Sequence, residues 1–328
     1  MKDSIANREL FALDGSEYIV CGTHHKAYDD DRNGLSKLST DERIGVVFLN
    51  STSPTRAANG DAAVYLADAL AECGYPSFRL DLPGFGDSEE NPPEDLLGFI
   101  SKGGYAPIAS ANVRELVTRF SLSGVIIVGH CAGSVSALYT AAISRECKGL
   151  VLIGPFFHLT QPISPPRIRR QLKLWALHSR PGARLSNIVE SLSNIRFSLR
   201  SRGLPRNANQ PLIRCWKQLA SKGLPILILT GIDRRASTAK PIAGEFNYLQ
   251  YLLRVAGRES HVAVKVTDGA DNAFANRKGR TAVQQHAERW LKDFFPLKKH
   301  EENIVHTLDS ERDESGGHNK LHHSYLHE

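Results

Sequence analysis

Residues 125–134 read VIIVGHCAGS, an apolar run that leads into a glycine, a histidine, a cysteine, an alanine and a glycine. The branched apolar residues favour a buried strand, and the small residues of 132–142, AGSVSALYTAA, favour a helix that packs closely on a sheet. Gly129 and Gly133 flank Cys131, as glycines flank the nucleophile of a sharp strand-to-helix turn. The stretch therefore predicts a nucleophile elbow that carries the thiol of Cys131.

The rest of the chain alternates short apolar runs with amphipathic helical stretches, which is typical of an α/β fold with a mostly parallel sheet and flanking helices. Residues 17–44 predict an antiparallel opening hairpin followed by a loop. The further strands are predicted at 45–50, 77–82, 124–128, 149–154, 225–230 and 261–267.

Length and composition favour a single large core, since the chain has 328 residues of which 41% are hydrophobic. The first ten residues lack the pattern of a signal peptide, and no apolar run approaches the roughly 18 residues of a membrane span. We therefore expect a cytoplasmic protein with no integral membrane segment. The 5 cysteines are scattered without a CxxC spacing, so we expect reduced thiols and neither a disulfide framework nor a metal site.

Positive charge is concentrated in one segment. The net charge is +6, and residues 155–222 hold thirteen Arg or Lys against one acid, Glu190. This segment lies between two predicted strands, so we interpret it as an insertion into a core formed by residues 1–154 and 223–296. The polar tail, 297–328, is predicted to be disordered. The insertion lacks a nucleic-acid-binding motif and is sparse in aromatics, so no nucleic-acid partner is expected.

Three further stretches carry a resemblance to a known family. Residues 46–56, VVFLNSTSPTR, and 79–90, RLDLPGFGDSEE, resemble the strand-and-loop segments that precede the elbow in the α/β-hydrolase superfamily. The basic insertion and the late 268–274, DGADNAF, are similar more narrowly to the hydrolase-like proteins associated with exosortase and exopolysaccharide systems. The resemblance implies an α/β-hydrolase fold in which the insertion forms a basic helical cap, and acyl chemistry that needs no cofactor.

The same resemblance assigns roles to individual residues. The oxyanion donors would be the backbone N–H groups of Ala132 and of Ser51 or Thr52. The triad acid would be Asp233, which follows the strand at 225–230, although an Asp there can also cap a turn. The triad base should be a histidine where this chain has Asn272.

Asn272 is the main departure from the family pattern. Its amide has no titratable nitrogen and cannot take a proton from the nucleophile. In serine enzymes of this type, loss of the base costs about 10⁶ in rate. A thiol is less dependent on a base, because it is partly ionised at neutral pH and a helix N-terminus lowers its pKa. The best-placed substitute base is His158, after the strand at 149–154, and the alternative for His158 is an ordinary polar residue of the insertion.

Two functions fit these residues. The first is an acyl-processing enzyme, a hydrolase or acyltransferase, in which Cys131 forms an acyl-thioester from an ester or thioester. The second is an inactive binding or scaffold protein that keeps the fold but has lost the base. Arg167, Arg169 and Arg170 favour a small-molecule or carrier-linked acyl substrate that is acidic, unless they only form a solvated helical face.

Overall fold

The structure, a computed structural model, describes residues 7–27, 43–50, 55–159, 204–205, 207–232, 247–257, 260–268 and 276–297. Within them one sheet has eight strands. The strands are β1 (Arg8–Leu13), β2 (Val20–His25), β3 (Ile44–Asn50), β4 (Ser77–Asp81), β5 (Gly124–His130), β6 (Cys147–Ile153), β7 (Ile226–Ile232) and β8 (Val262–Asp268).

The strand order across the sheet is β1-β2-β4-β3-β5-β6-β7-β8. From β4 to β8 all neighbours are parallel, whereas β2 is antiparallel to both β1 and β4. The six strands predicted after the hairpin are confirmed, each to within two residues at either end. These strands could be predicted from the sequence because parallel strands are buried on both faces and appear as nearly continuous apolar runs.

The opening hairpin lies earlier than predicted, between Arg8 and His25 rather than within 17–44. Strand β1, RELFAL, is at the edge of the sheet, and its first three residues are exposed. An edge strand with a charged start lacks the apolar run that marks a buried strand, so no strand was predicted there.

Helices cover both faces of the sheet. They are α1 (Ala62–Glu72), α2 (Leu96–Ser101), α3 (Ala106–Arg119), α4 (Ala132–Ile143), α5 (Gln210–Ser221), α6 (Tyr248–Ala256) and α7 (Arg277–Phe294). Side chains of β5 alternate between two cores: Val125 and Ile127 pack with α3, α4 and α5, whereas Ile126 and Val128 pack with α1 and α7. None of these described helices is long and apolar enough to cross a membrane.

The two ends of the predicted insertion meet at one place. The N–H of Leu159 donates to the carbonyl of Asn207 at 2.6 Å, and the N–H of Asn209 donates to the carbonyl of Phe157 at 2.8 Å. Helix α5, which falls within the predicted 155–222, packs on the core through the fully buried Trp216. Most of the insertion, and the predicted tail beyond residue 297, lie outside the described residues.

A buried histidine on β2 of the hairpin makes the fold sensitive to acid. The His24 ring stacks on Phe78 at 4.6 Å and 9°, and within the described part of the chain neither ring nitrogen has a hydrogen-bond partner. Burial lowers the pKa of His24 to about 4, from an ordinary value of 6.5. Because the folded state disfavours the charged ring, stability is retained above pH 6.5 and is lost as the pH falls towards 4.

We expect His24→Phe to remove this acid sensitivity. Between pH 7 and pH 5 the wild type should lose about 2 kcal/mol of unfolding free energy at this site, since each unit of pKa shift corresponds to about 1.4 kcal/mol. Urea unfolding of both chains at the two pH values measures the difference. His261→Phe is the control, because His261 is exposed. If His24→Phe changes the unfolding free energy by the same amount at pH 7 and pH 5, the prediction is wrong.

Candidate active site

Cys131 joins β5 to α4 in a backbone conformation that few residues adopt. Its φ is 51° and its ψ is −117°, so a non-glycine residue lies at positive φ. Such conformations cost on the order of 1–3 kcal/mol and persist only where surrounding structure enforces them. At the end of a buried strand, this conformation turns the chain sharply into the helix.

The neighbours of Cys131 hold the turn in place. Its N–H donates to the carbonyl of Ile153 on β6 at 2.8 Å. The hydroxyl of Ser134 donates to the carbonyl of Gly129 at 2.8 Å. A Cβ atom at Gly129 would lie 2.4 Å from the carbonyl oxygen of Gly133, so this close approach of strand and helix requires glycine.

The thiol of Cys131 lies at the positive end of α4. The side chain is half-buried, is not in a disulfide and does not cap the helix. Ala132 is the first residue of α4, where N–H groups have no acceptor within the helix. The helix N-terminus therefore offers backbone donors and a partial positive charge to an anion formed beside Cys131.

Three strands that precede predicted site residues end at the same edge of the sheet as Cys131. Strand β3 ends at Asn50, β7 ends at Ile232 and β8 ends at Asp268, so their continuations leave from the carboxyl edge where Cys131 lies. The predicted site residues outside the described part of the chain are Ser51, Thr52, Arg167, Arg169, Arg170, Asp233 and Asn272. Their roles stay predictions.

His158 lies at the foot of the insertion. It is exposed, and its ring contacts the rings of Phe156 and Tyr248, with centroids 5.6 and 6.2 Å away. Its backbone pairs with Ala208 in an isolated β-bridge. Within the described residues no hydrogen bond joins His158 to Cys131. A role as substitute base therefore stays a prediction.

The side chain of His130 lies on the face of the sheet that α1 and α7 cover. It lines a small, mainly apolar cavity on the α1–α7 face of the sheet, together with Phe48, Leu66 and Val128. The cavity holds about 30 Å³, which is room for one or two water molecules. The His130 ring therefore packs beneath the elbow, on the α1–α7 face of the sheet.

A charged cluster beside the predicted oxyanion loop was not recognised from the sequence. The backbone N–H and the guanidinium of Arg56 both donate to the carboxylate of the fully buried Asp81. The guanidinium also bonds to Asp87 at 2.8 Å. Burial lowers the pKa of Arg56, but Asp87 and Asp81 outweigh this effect, so that its pKa is raised and the group stays charged. The sequence pattern that could have indicated this pair is an acid at the end of β4 and an arginine soon after the end of β3, the neighbouring strand.

Comparison with known proteins agrees with this architecture. A family model described as the alpha/beta hydrolase fold matches residues 54–208. No curated protein matches the sequence. Among solved structures, an esterase from Pyrococcus furiosus is similar with a TM-score of 0.54 at 14% identity, covering 90% of this chain and 93% of that chain.

Two further solved structures have comparable similarity. The esterase domain of a Rhodothermus marinus protein gives a TM-score of 0.52 at 15% identity, with coverage of 88% of this chain and 100% of that chain. A Butyrivibrio proteoclasticus protein solved with ferulic acid bound gives a TM-score of 0.52 at 12% identity, covering 88% of this chain and 100% of that chain. At these identities the likeness is one of fold.

Proposed function

Because the chain has the α/β-hydrolase fold, we propose that it processes acyl groups through a thioester formed on Cys131. The observation that carries the proposal is the backbone of Cys131, with φ 51° and ψ −117°, at the end of a buried strand and the start of a helix. A cysteine held in this way has its sulfur next to helix N–H donors, which is what a nucleophile that generates an oxyanion requires.

The proposed acylation is a two-step displacement at a carbonyl carbon. The thiolate of Cys131 forms a bond to that carbon, and the carbonyl π pair moves to oxygen. The N–H of Ala132 and that of Ser51 or Thr52 donate to the oxyanion. Collapse of the intermediate breaks the bond to the alcohol or thiol leaving group, which departs with the electron pair. The proton of the original thiol passes to solvent or to a base.

The second half-reaction moves the acyl group from Cys131 to water or to another acceptor. Asp233 would orient Asn272 or a substitute base, and His158 is the candidate for that substitute. Water is a poor nucleophile without a base, so hydrolysis should be slower than acylation. A chain with Asn at position 272 thus favours slow turnover, or transfer to an acceptor that is more nucleophilic than water.

The substrate class follows from the basic insertion. Arg167, Arg169 and Arg170 would attract a phosphate-bearing or acidic group, such as the phosphopantetheine of a carrier-linked or coenzyme A thioester. The narrower likeness to exosortase-associated hydrolase-like proteins belongs to this proposal as well, since it depends on the same insertion and on residues 268–274.

Burst kinetics test the proposed function. The purified chain is mixed with p-nitrophenyl acetate, butyrate and octanoate, and separately with acetyl coenzyme A. We expect a rapid release of about one equivalent of leaving group per chain, followed by a much slower steady state, because acylation outruns deacylation. Absence of both a burst and turnover with every substrate would contradict the proposal and favour the inactive binding protein.

A further inference from the structure

We infer that Ser134 is a positioning residue for the thiol of Cys131: its hydroxyl holds the elbow in the conformation that keeps the sulfur at the N-terminus of α4. The inference rests on the proposed function in that this thiol is taken as the nucleophile. Ser134 acts through the backbone of the elbow, and no contact with the reacting atoms is assigned to it.

The hydroxyl of Ser134 connects the ends of two strands. Its oxygen lies 2.8 Å from the carbonyl oxygen of Gly129 and 3.2 Å from that of Ile153. Gly129 is in β5, just before the elbow, and Ile153 is the last residue of β6. A hydroxyl has a single proton to donate, so the two carbonyls share it. Because Ser134 is only 2% exposed, water does not compete for this contact.

The backbone of Cys131 is fixed at contacts in which Ser134 takes part. The N–H of Ser134 donates to the carbonyl of Cys131 at 3.0 Å. The N–H of Cys131 donates to the carbonyl of Ile153 at 2.8 Å, and the same carbonyl accepts from the Ser134 hydroxyl. Ser134 therefore restrains the turn both before and after Cys131.

Two other buried hydroxyls of α4 show how unusual this contact is. Thr140 Oγ1 donates to the carbonyl of Ser136 at 2.8 Å, four residues back, which is the ordinary contact of a hydroxyl within a helix. The Ser136 hydroxyl has no hydrogen-bond partner among the described residues. The Ser134 hydroxyl instead leaves its own helix and reaches β5 and β6, so helix formation alone does not account for it.

The physical reason for such a contact is that the conformation of Cys131 does not persist by itself. A non-glycine residue at φ 51° is strained, and the surrounding structure must enforce it. The strain and one buried hydrogen bond are of similar size, so loss of the Ser134 hydroxyl can release the turn. A relaxed turn would move the sulfur away from the N–H groups at the positive end of α4, which favour the thiolate.

The test compares alkylation of Cys131 by iodoacetamide at two pH values, a reaction in which the thiolate forms a sulfur–carbon bond and expels iodide. At pH 7 the rate depends on how strongly the helix N-terminus favours the thiolate, whereas at pH 10 a cysteine is largely ionised in any position. For Ser134→Ala we expect a rate constant about tenfold below the wild type at pH 7 and within about twofold of it at pH 10. Peptide mass follows Cys131 separately from the other cysteines.

The same helix offers matched controls. Thr140→Val also removes a buried hydroxyl with its hydrogen bond, and Ser136→Ala removes a buried hydroxyl without one. Neither residue bonds to the elbow, so both variants should be alkylated at the wild-type rate at either pH. Ser134→Gly lacks the same hydroxyl as Ser134→Ala and takes its place if Ser134→Ala does not fold. It should show the same loss at pH 7.

The possible outcomes separate this inference from the function it rests on. Folded Ser134→Ala or Ser134→Gly chains that are alkylated at the wild-type rate at pH 7 would overturn the role of Ser134. An equal fall at pH 7 and pH 10 would also overturn it, because that result indicates altered access to the sulfur. A wild-type chain that is never acylated, although the alkylation rates follow the expected pattern, would overturn the proposed function and leave the role of Ser134 in holding the thiol intact.

Discussion

Cys131→Ala is expected to abolish the burst of leaving group and any turnover above background. The thiol is the only atom group that the proposed reaction needs from this residue, and alanine retains the same backbone. In a serine protease with a catalytic triad, removal of the nucleophile costs about 10⁶ in rate. The unfolding free energy should stay close to that of the wild type, so the loss will not reflect misfolding. Stopped-flow release of p-nitrophenolate measures the effect.

Cys131→Ser is the matched variant for this prediction. It keeps the size and shape of the side chain but replaces a group that ionises near neutral pH by one that does not. Without a histidine at position 272, the proposed triad lacks the base that would take the serine's proton, and we expect its burst to be lost as well. A serine variant that acylates as fast as the wild type would show that thiol chemistry is not what the site uses.

Asn272→His is expected to raise the steady-state rate of ester hydrolysis by about 10²–10⁴, the usual contribution of a positioned general base. The imidazole would take a proton from the water that attacks the acyl-thioester, with Asp233 as its orienting acid. The gain should follow a pH profile with an apparent pKa near the ordinary histidine value of about 6.5. Steady-state rates from pH 5 to pH 9 measure it.

Asn272→Gln is the control, since it changes the side chain but adds no titratable nitrogen. The double variant Cys131→Ser/Asn272→His should regain activity that Cys131→Ser lacks, because it would complete the proposed triad with a serine, a histidine and the acid Asp233. If neither histidine variant gains activity although both fold, the remaining machinery is not competent and the binding-protein alternative gains support.

The fold was predictable because its strongest signals are local. The run at 125–128 is apolar on both faces because β5 separates two cores, and Gly129 is glycine because the helix backbone passes within contact distance. The predicted α/β-hydrolase fold is confirmed by the sheet order and by the comparisons. Strand β1 was missed because an exposed edge strand has no such signal.

The site was less predictable because its groups come from distant parts of the chain. The elbow is contained within a few residues, so the sequence indicates it directly. The contact of Arg56 with Asp81 joins the chain after β3 to the end of β4 through side chains 25 residues apart, and no local pattern specifies such a pair. The roles of Asp233, Asn272 and His158 depend on distances that spacing along the chain does not determine.

Peptide mapping of the acylated protein tests the central claim most directly. The chain is quenched in acid during the burst with p-nitrophenyl acetate, digested and analysed by tandem mass spectrometry. We predict one acetyl group on the peptide that contains Cys131, removed by neutral hydroxylamine as a thioester should be. An unmodified Cys131 peptide beside an acetylated lysine, serine or different cysteine would contradict the account.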